Sequence, residues 1–403
     1  MPNPHPLPPL SLYVHLPWCV RKCPYCDFNS HVMGKTLPEQ DYVEALLLDL
    51  DDEAPSILGR EIQSIFFGGG TPSLFSADAI ADLIGGIGAR MPITSQAEIT
   101  LEANPGAVDT VRFKGFRAAG VNRLSIGVQS FDNHKLKALG RIHDSDQALM
   151  AIHHAQDAGF EQINVDLMYG LPEQNLEQAL QDLDMALAQQ VDHLSMYQLT
   201  IEPHTTFHQH RPALPDDDSL WAIQEHLQQR LLANGYRQYE VSAYAQQDRQ
   251  CQHNLNYWHF GDYIGIGAGA HGKLTGIKGI VRRWKTRTPR RYMAGQRLGG
   301  ELQQFQGDLI LEFMMNALRL THGVPLSLFR QRTGLAPTVM GDTLARATDQ
   351  DLLQPDPKRL CATPLGQRFL NDLLGLFVDP DNRDNTVNLF ASLEKSTSKA
   401  PHG

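Results

Sequence analysis

The sequence predicts an α/β chain: a full or partial (β/α) barrel followed by a small α+β module. Three observations carry that expectation. Short β-rich runs alternate with amphipathic helical stretches, several of those runs end in glycine-rich or polar punctuation, and the alternation stops near residue 300, where helices take over. A repeated strand–helix–strand order implies a parallel sheet with right-handed crossovers, for which a flat doubly wound sheet is the alternative to a barrel.

The expected strands cover residues 12–16, 62–67, 98–102, 123–129, 162–168, 193–200 and 236–244. Between them, residues 39–58, 146–158, 176–190 and 219–234 carry apolar side chains at three and four spacing and read as helices. Working residues in such barrels lie just past the C-terminal strand ends. Here those ends run into a cysteine cluster, Gly68-Gly69-Gly70-Thr71-Pro72, Glu102-Ala103-Asn104-Pro105 and Gln129-Ser130-Phe131, while the fifth strand holds Asp166 ahead of Tyr169-Gly170-Leu171-Pro172. Arg297-Leu298-Gly299-Gly300 reads as a boundary. Beyond it come helices at 308–320, 326–332 and 338–348, a hairpin signal at 354–357 and a helix from Pro364, a pattern resembling a winged helix. The expected division is therefore a barrel domain over 1–300, a winged-helix-like α+β domain over 301–378, and a polar, disordered tail over 379–403.

Composition limits the function. Of 403 residues 42% are apolar and 20% charged, enough for a large core without staples, and the formal net charge of −10 argues against a general polyanion binder. Residues 301–378 carry 7 Lys+Arg against 8 Asp+Glu, so this module lacks the basic stripe of a DNA reader and no nucleic-acid partner is expected. No apolar run approaches the roughly 18 residues of a membrane span, and the Pro-rich start lacks a signal-peptide pattern, so a cytoplasmic protein is expected, with peripheral membrane contact left open. Three of 5 cysteines lie within a single short segment, which is not a disulfide framework. Cys251 and Cys361 stand apart and read as core thiols.

Cys19-x3-Cys23-x2-Cys26 places three sulfur donors in the loop after the first strand. Structural zinc normally takes four closed ligands, whereas three cysteines on a 4Fe-4S cluster leave one iron open; on the residues alone, zinc and an inert thiol cluster both remain. Tyr13-Val14-His15-Leu16-Pro17-Trp18-Cys19 through Cys26-Asp27-Phe28-Asn29 resembles the cluster loop of radical S-adenosylmethionine enzymes, in particular the branch resembling coproporphyrinogen III dehydrogenase. That resemblance spans nearly the whole chain. It implies a radical-SAM barrel, a 4Fe-4S cluster on Cys19, Cys23 and Cys26, and S-adenosylmethionine chelated to the open iron and cleaved by one electron. Glycines let the main chain approach a ligand closely, and carboxylates accept from ammonium or ribose groups. By the resemblance Gly69, Gly70, Thr71, Glu102, Gln129, Arg141 and Asp166 contact S-adenosylmethionine, and Tyr13 and Tyr25 line its site.

The decarboxylating members of this branch resemble C-x3-C-x2-C-x-C and carry a longer segment before the first strand; here Phe28 takes the fourth cysteine's place. Cys23-Pro24-Tyr25-Cys26-Asp27-Phe28-Asn29-Ser30 instead resembles HemW-type haem chaperones, as does His253-Asn254-Leu255-Asn256-Tyr257-Trp258, similar to a segment associated with haem binding there. The resemblance implies haem as a cofactor with His253 as a candidate ligand, imidazole being a normal axial donor. It also implies haem-accepting apo-proteins, respiratory ones among them, as partners. Seven basic residues from Lys278 to Arg291, without an acid, are expected to be a solvated face. Arg282 and Arg283 among them are candidates for haem propionates. Gly267-Ala268-Gly269-Ala270-His271-Gly272 matches G-x-G-x-x-G but lacks a following helical pattern, so a tight turn is expected rather than a dinucleotide site. An anaerobic coproporphyrinogen III oxidase and a zinc-structured binding module are the alternatives. Whether S-adenosylmethionine is cleaved productively and whether the chain forms a homodimer are left open by the sequence.

Overall fold

A computed structural model describes residues 7–57, 59–277, 279–304 and 306–378. Its frame is one 12-stranded sheet. In chain order the strands are β1 (Leu10–Leu16), β2 (Ile62–Gly69), β3 (Ile93–Ala103), β4 (Arg123–Gln129), β5 (Gln162–Tyr169) and β6 (His193–Gln198), then β7 (Arg237–Gln238), β8 (Ala243–Ala245), β9 (Asp262–Ile266), β10 (His271–Gly276), β11 (Gly279–Lys285) and β12 (Leu298–Gln303). They lie in the order β12-β11-β10-β9-β1-β2-β3-β4-β5-β6-β8-β7. Pairing is parallel from β9 through β6 and antiparallel at both edges. The outermost strands are not paired to each other, so the barrel is partial.

Helices α1 (Glu39–Glu53), α2 (Ala77–Arg90), α3 (Thr110–Ala119), α4 (Ser145–Asp157), α5 (Leu176–Ala188) and α6 (Asp217–Ala233) cross between or flank the parallel strands. Ser76, Asp109, Asp144, Asn175 and Asp216 cap five of them, each side chain accepting from a first-turn amide. Their apolar faces, such as Ile80, Leu83 and Ile87 of α2, join Leu12, Ile65, Leu101 and Leu124 of the sheet in one core. Pro55 ends the first helix earlier than its apolar pattern, leaving a single 3-10 turn at Ala54–Ser56. The run at 236–244 is two short strands of a hairpin rather than one strand.

After β9 the chain doubles back through β10, β11 and β12. Position 300, the expected boundary, falls inside β12, because Gly299 and Gly300 are not a break: Trp284 lies directly opposite Gly300 in the ladder, and a Cβ on Gly300 would enter its indole ring. Helix α7 (Gln252–Trp258) precedes β9, and α8 (Gln306–Ala317) opens a helical module. That module has its own core of Phe313, Phe329, Leu353 and Leu374, into which α7 sends Tyr257 and Trp258. A short antiparallel pair, Val324–Pro325 with Arg359–Leu360, completes it. The tail at 379–403 lies outside the described residues.

The basic run resolves differently from a solvated propionate-binding face. Arg282 pairs with Glu312, Arg283 with Glu53 (2.8 Å) and Glu301 (2.5 Å), and Lys285 with Asp49 (2.5 Å) and Glu53 (2.7 Å). These cations tie β11 to α1 and α8, acids too remote in sequence for a local charge count to register. Arg287, Arg290 and Arg291 are exposed, and Lys278 lies outside the described residues.

Candidate active site at the barrel mouth

β1 is buried along its whole length, and the chain then leaves the sheet in a loop carrying Cys19, Cys23 and Cys26. A parallel ladder of Trp18–Cys19 with His31–Val32 closes the neck of that loop. The Tyr13 hydroxyl lies 2.7 Å from His15 Nδ1, and His15 Nε2 lies 3.0 Å from the Asn29 carbonyl; a hydroxyl donating to Nδ1 leaves Nε2–H to donate to that carbonyl. Asn29 Nδ2 in turn donates to the Ala268 and Arg287 carbonyls, each at 2.8 Å. Gly269, at φ +88°, passes so close to Asn29 that a Cβ would strike its amide. The Gly267–Gly272 stretch is thus a prop for the cysteine loop and runs into β10 rather than a helix.

The three cysteines face a cavity of about 500 Å³ at the C-terminal ends of the parallel strands. Glycine is required after β2: a Cβ on Gly69 (φ +119°) would lie 2.6 Å from the His15 ring, and one on Gly70 would lie 2.5 Å from the Trp18 carbonyl oxygen. That approach lets the Gly70 and Thr71 amides donate to the Leu16 and Trp18 carbonyls at 2.9 and 2.8 Å, fastening this turn to the stem of the cysteine loop. The Gly69 amide donates to Glu102 Oε2 at 3.0 Å. Gln129 ends β4 in the left-handed region at φ +72°. Arg141 donates to the Gly127 carbonyl at 2.6 Å and comes within 3.8 Å of Cys23 Sγ. Cys19, Cys23, Tyr25, Cys26, Gly69, Gly70, Thr71, Glu102, Gln129, Arg141 and Asp166 all line this one cavity. Tyr13 does not. It is stacked on Phe66 behind the wall and reaches the loop only through His15.

Two carboxyls, Glu102 and Asp166, line the cavity together with the thiols. Burial, then the Asp166 charge, pushes Glu102 up to about 8, against the pull of the Gly69 amide. Burial raises Asp166 to about 6, moderated by hydrogen bonds from Asn164, Ser125 and Ser195 and by Arg141. A cationic ligand beside them would pull both acids toward the carboxylate form, with their protons released to solvent.

His253 lies elsewhere. It is 1% exposed, its Nδ1 is 2.7 Å from Glu98 Oε1 and its ring centroid is 4.3 Å from that of Phe66. Glu98 precedes Glu102 by two strand repeats on the same face of β3, so His253 is inside the barrel below the cavity floor rather than at its mouth. His253 is not among the residues that line the cavity, and its Nδ1 is engaged by Glu98 and its Nε2 lies 3.3 Å from Cys251 Sγ. Cys251 Sγ lies 3.6 Å from Glu98 Oε1 and 3.0 Å from His253 Nδ1, so Cys251 is a member of this buried cluster.

Residues 13–186 match the radical SAM superfamily, and residues 306–369 match the HemN C-terminal domain. The chain is 52% identical to the heme chaperone HemW of Escherichia coli over 92% of this chain and 99% of that one. It is 49% identical to the heme chaperone HemW of Haemophilus influenzae over 92% and 98%. The chain belongs to the radical SAM superfamily, in its HemW branch. In fold it is similar to the solved coproporphyrinogen III oxidase HemN of Escherichia coli, with a TM-score of 0.79 at 24% identity over 93% of this chain and 91% of that one.

The thiols have the chemistry a radical SAM cluster needs. Burial raises the Cys19 thiol, and raises Cys26 to about 12, so as bare thiols both keep their protons. Iron inverts that order by binding thiolate, and Arg141 beside Cys23 adds compensating positive charge. Three donors on one wall of an open cavity suit a cluster with one accessible iron better than a closed four-ligand zinc site. Tyr169, at an expected strand end, lines the cavity; reasoning from sequence missed its further lining residues Met168, Met196, Tyr197, Val241, Ser242 and Arg319. The first three of these lie at ends of strands β5 and β6 already expected, so register could have found them. Arg319 comes from the C-terminal module and gave no local signal. Among the described residues no helix is long and apolar enough to cross a membrane.

Proposed function

We propose that this chain is a haem chaperone that binds haem and delivers it to apo-proteins, respiratory haem proteins among them, in the cytoplasm. The observation that carries this reading is the 52% identity to a heme chaperone across 99% of that protein's length. Cys19, Cys23 and Cys26 would hold a 4Fe-4S cluster, which supplies one-electron chemistry when bound. The glycine turn Gly69–Gly70 with Thr71 would present main chain to the methionine part of S-adenosylmethionine; Glu102 and Asp166 would accept from its ammonium and ribose hydroxyls. Arg141 would pair with its carboxylate, Gln129 and Tyr25 would border it, and Tyr13 would act behind them through His15. Haem would take the other half of the cavity, against Met168, Met196, Tyr197 and Val241. Residues 1–300 would serve as the barrel domain, carrying β12 across its end, and 301–378 as a winged-helix-like cover; a homodimer is compatible with this arrangement.

The test is a haem titration of anaerobically reconstituted protein with iron and acid-labile sulfide measured on the same samples, followed by transfer to an apo-acceptor. Retained and transferable haem, about four iron per chain, and loss of that iron in Cys23→Ser support the reading. His253→Ala is expected to bind haem like the parent, because that ring is engaged by Glu98 beneath the cavity. Vinyl product from coproporphyrinogen III with S-adenosylmethionine under reduction, without haem retention, would replace the chaperone with an oxidase.

A further inference from the structure

Beneath the cavity the barrel is filled with polar side chains that none of the roles above uses. Asn164 is 1%, and His193 0%, exposed. Asn164 Nδ2 donates to Asp166 Oδ1 at 2.7 Å and to Ser125 Oγ at 2.8 Å, and Ser125 Oγ donates to Asp166 Oδ2 at 3.0 Å. The Asn164 carbonyl oxygen faces His193 Nδ1 at 2.6 Å and accepts from Ser195 Oγ at 3.0 Å. An amide oxygen can only accept, so Nδ1 carries the His193 proton. Nε2 is then the acceptor, and it lies 2.9 Å from the Tyr239 hydroxyl, which receives the Cys251 amide at 3.3 Å. The links from Asp166 through Asn164 and His193 to Tyr239 form one connected column. Its lower end is tied to the C-terminal module, since the Thr321 amide donates to the Tyr239 carbonyl at 3.0 Å.

We infer that His193 is a positioning residue for the cavity: by donating from Nδ1 it locks the Asn164 amide in the orientation that presents Asp166 as a fixed acceptor to the ligand. This rests on the reading that Asp166 helps to hold S-adenosylmethionine. Without the His193 donor, the Asn164 oxygen keeps only the Ser195 hydroxyl on that side, and the side chain can turn its oxygen toward Asp166. Two facing oxygens favour a protonated Asp166, which then donates where it should accept. The other charged or titratable groups facing Asp166 are Glu102 from β3, Arg141 from the loop after β4, and Tyr197 from β6; those facing His193 are Arg123, Glu98 and His253.

The experiment is S-adenosylmethionine binding by equilibrium dialysis to cluster-reconstituted protein from pH 6 to 9. It compares the parent with His193→Leu, His193→Asn and Asp166→Asn, after matching iron content and thermal stability. Asparagine restores a donor near the Nδ1 position, and leucine does not. In His193→Leu affinity is expected to fall about tenfold at pH 7, as for a lost charge-assisted contact. Its pH midpoint should move upward and the deficit should shrink toward pH 9, while His193→Asn keeps the parent profile within about threefold. Unchanged affinity in His193→Leu overturns the inference. So does a deficit equal at every pH and not relieved by asparagine, which would mean packing alone. If Asp166→Asn binds like the parent, the assignment of Asp166 to the ligand site is what has failed, and the role of His193 falls with it.

Discussion

At the scale of single residues, the cavity acids are held in a state the folded chain would not choose for stability. Glu102 titrates near 8 because burial and the neighbouring Asp166 oppose its charge. The folded form therefore keeps a proton that the unfolded chain releases near 4.5. Between those values the unfolded state binds fewer protons, so the contribution of Glu102 to stability falls as pH rises and is lowest above 8. Glu102→Gln removes that cost while keeping an acceptor for the Gly69 amide. In the cluster-free protein its melting temperature relative to the parent is expected to be higher at pH 8.5 than at pH 4.5, with S-adenosylmethionine affinity reduced in the reconstituted protein. A difference in melting temperature that does not change with pH would contradict the assignment. The strained glycine beside it belongs to the same logic: the Gly69 amide reaches Glu102 only because its backbone occupies the left-handed region without a side chain.

Among the elements, α7 shows what local sequence can and cannot carry. The helices flanking the sheet were legible because their caps are their own neighbours, as in the capping boxes at Asp144–Gln147 and Asn175–Gln178. No side chain of its own caps α7. Glu98, far away on β3, accepts from the Gln252 and His253 amides at 2.9 and 3.0 Å and from the His253 ring, with Arg123 at 3.9 Å as its counter-ion. Those contacts hold Glu98 ionised, well below the usual carboxylate range despite its burial. Removing it in Glu98→Ala leaves two helix amides unanswered and a buried guanidinium with Gln162 Oε1 at 3.2 Å but without this carboxylate, with an expected loss of about 3–5 kcal/mol in urea unfolding. Glu98→Gln should lose less. A cost under about 1 kcal/mol for the alanine variant would mean that water or another side chain answers Arg123. The same long reach explains His253: read within His253–Trp258 it looks available, and only the fold supplies the carboxylate that engages it. Gly299-Gly300 misled for the opposite reason, because a pair that usually breaks a strand is here the space Trp284 occupies.

For the molecule as a whole, the parallel order and the cluster-loop end of the mouth follow from periodicity and strand ends, whereas closure of the far side depends on contacts between distant parts of the chain. β9 enters beside β1 from the other end of the sequence, and the C-terminal module places Arg319 on the cavity wall. Arg319 donates to the buried Glu240 at 3.0 Å and lies 4.3 Å from the Trp258 ring centroid, so it fastens the module to the hairpin of β7 and β8. The cavity is therefore divided between its two sides, with the cysteines and glycine turn on the β1–β2 side and the apolar wall ending at Arg319 beyond β6. Substitution at that far end should separate the two proposed ligands. Arg319→Ala is expected to weaken haem binding about tenfold, the order of one charge-assisted contact together with the loosened wall. Iron content and S-adenosylmethionine affinity should stay at parent values, since Cys19, Gly69 and Asp166 are positioned by other strands. Parallel titrations with both ligands on one preparation check this, and equal losses for both would show that the two halves of the cavity act as a single site.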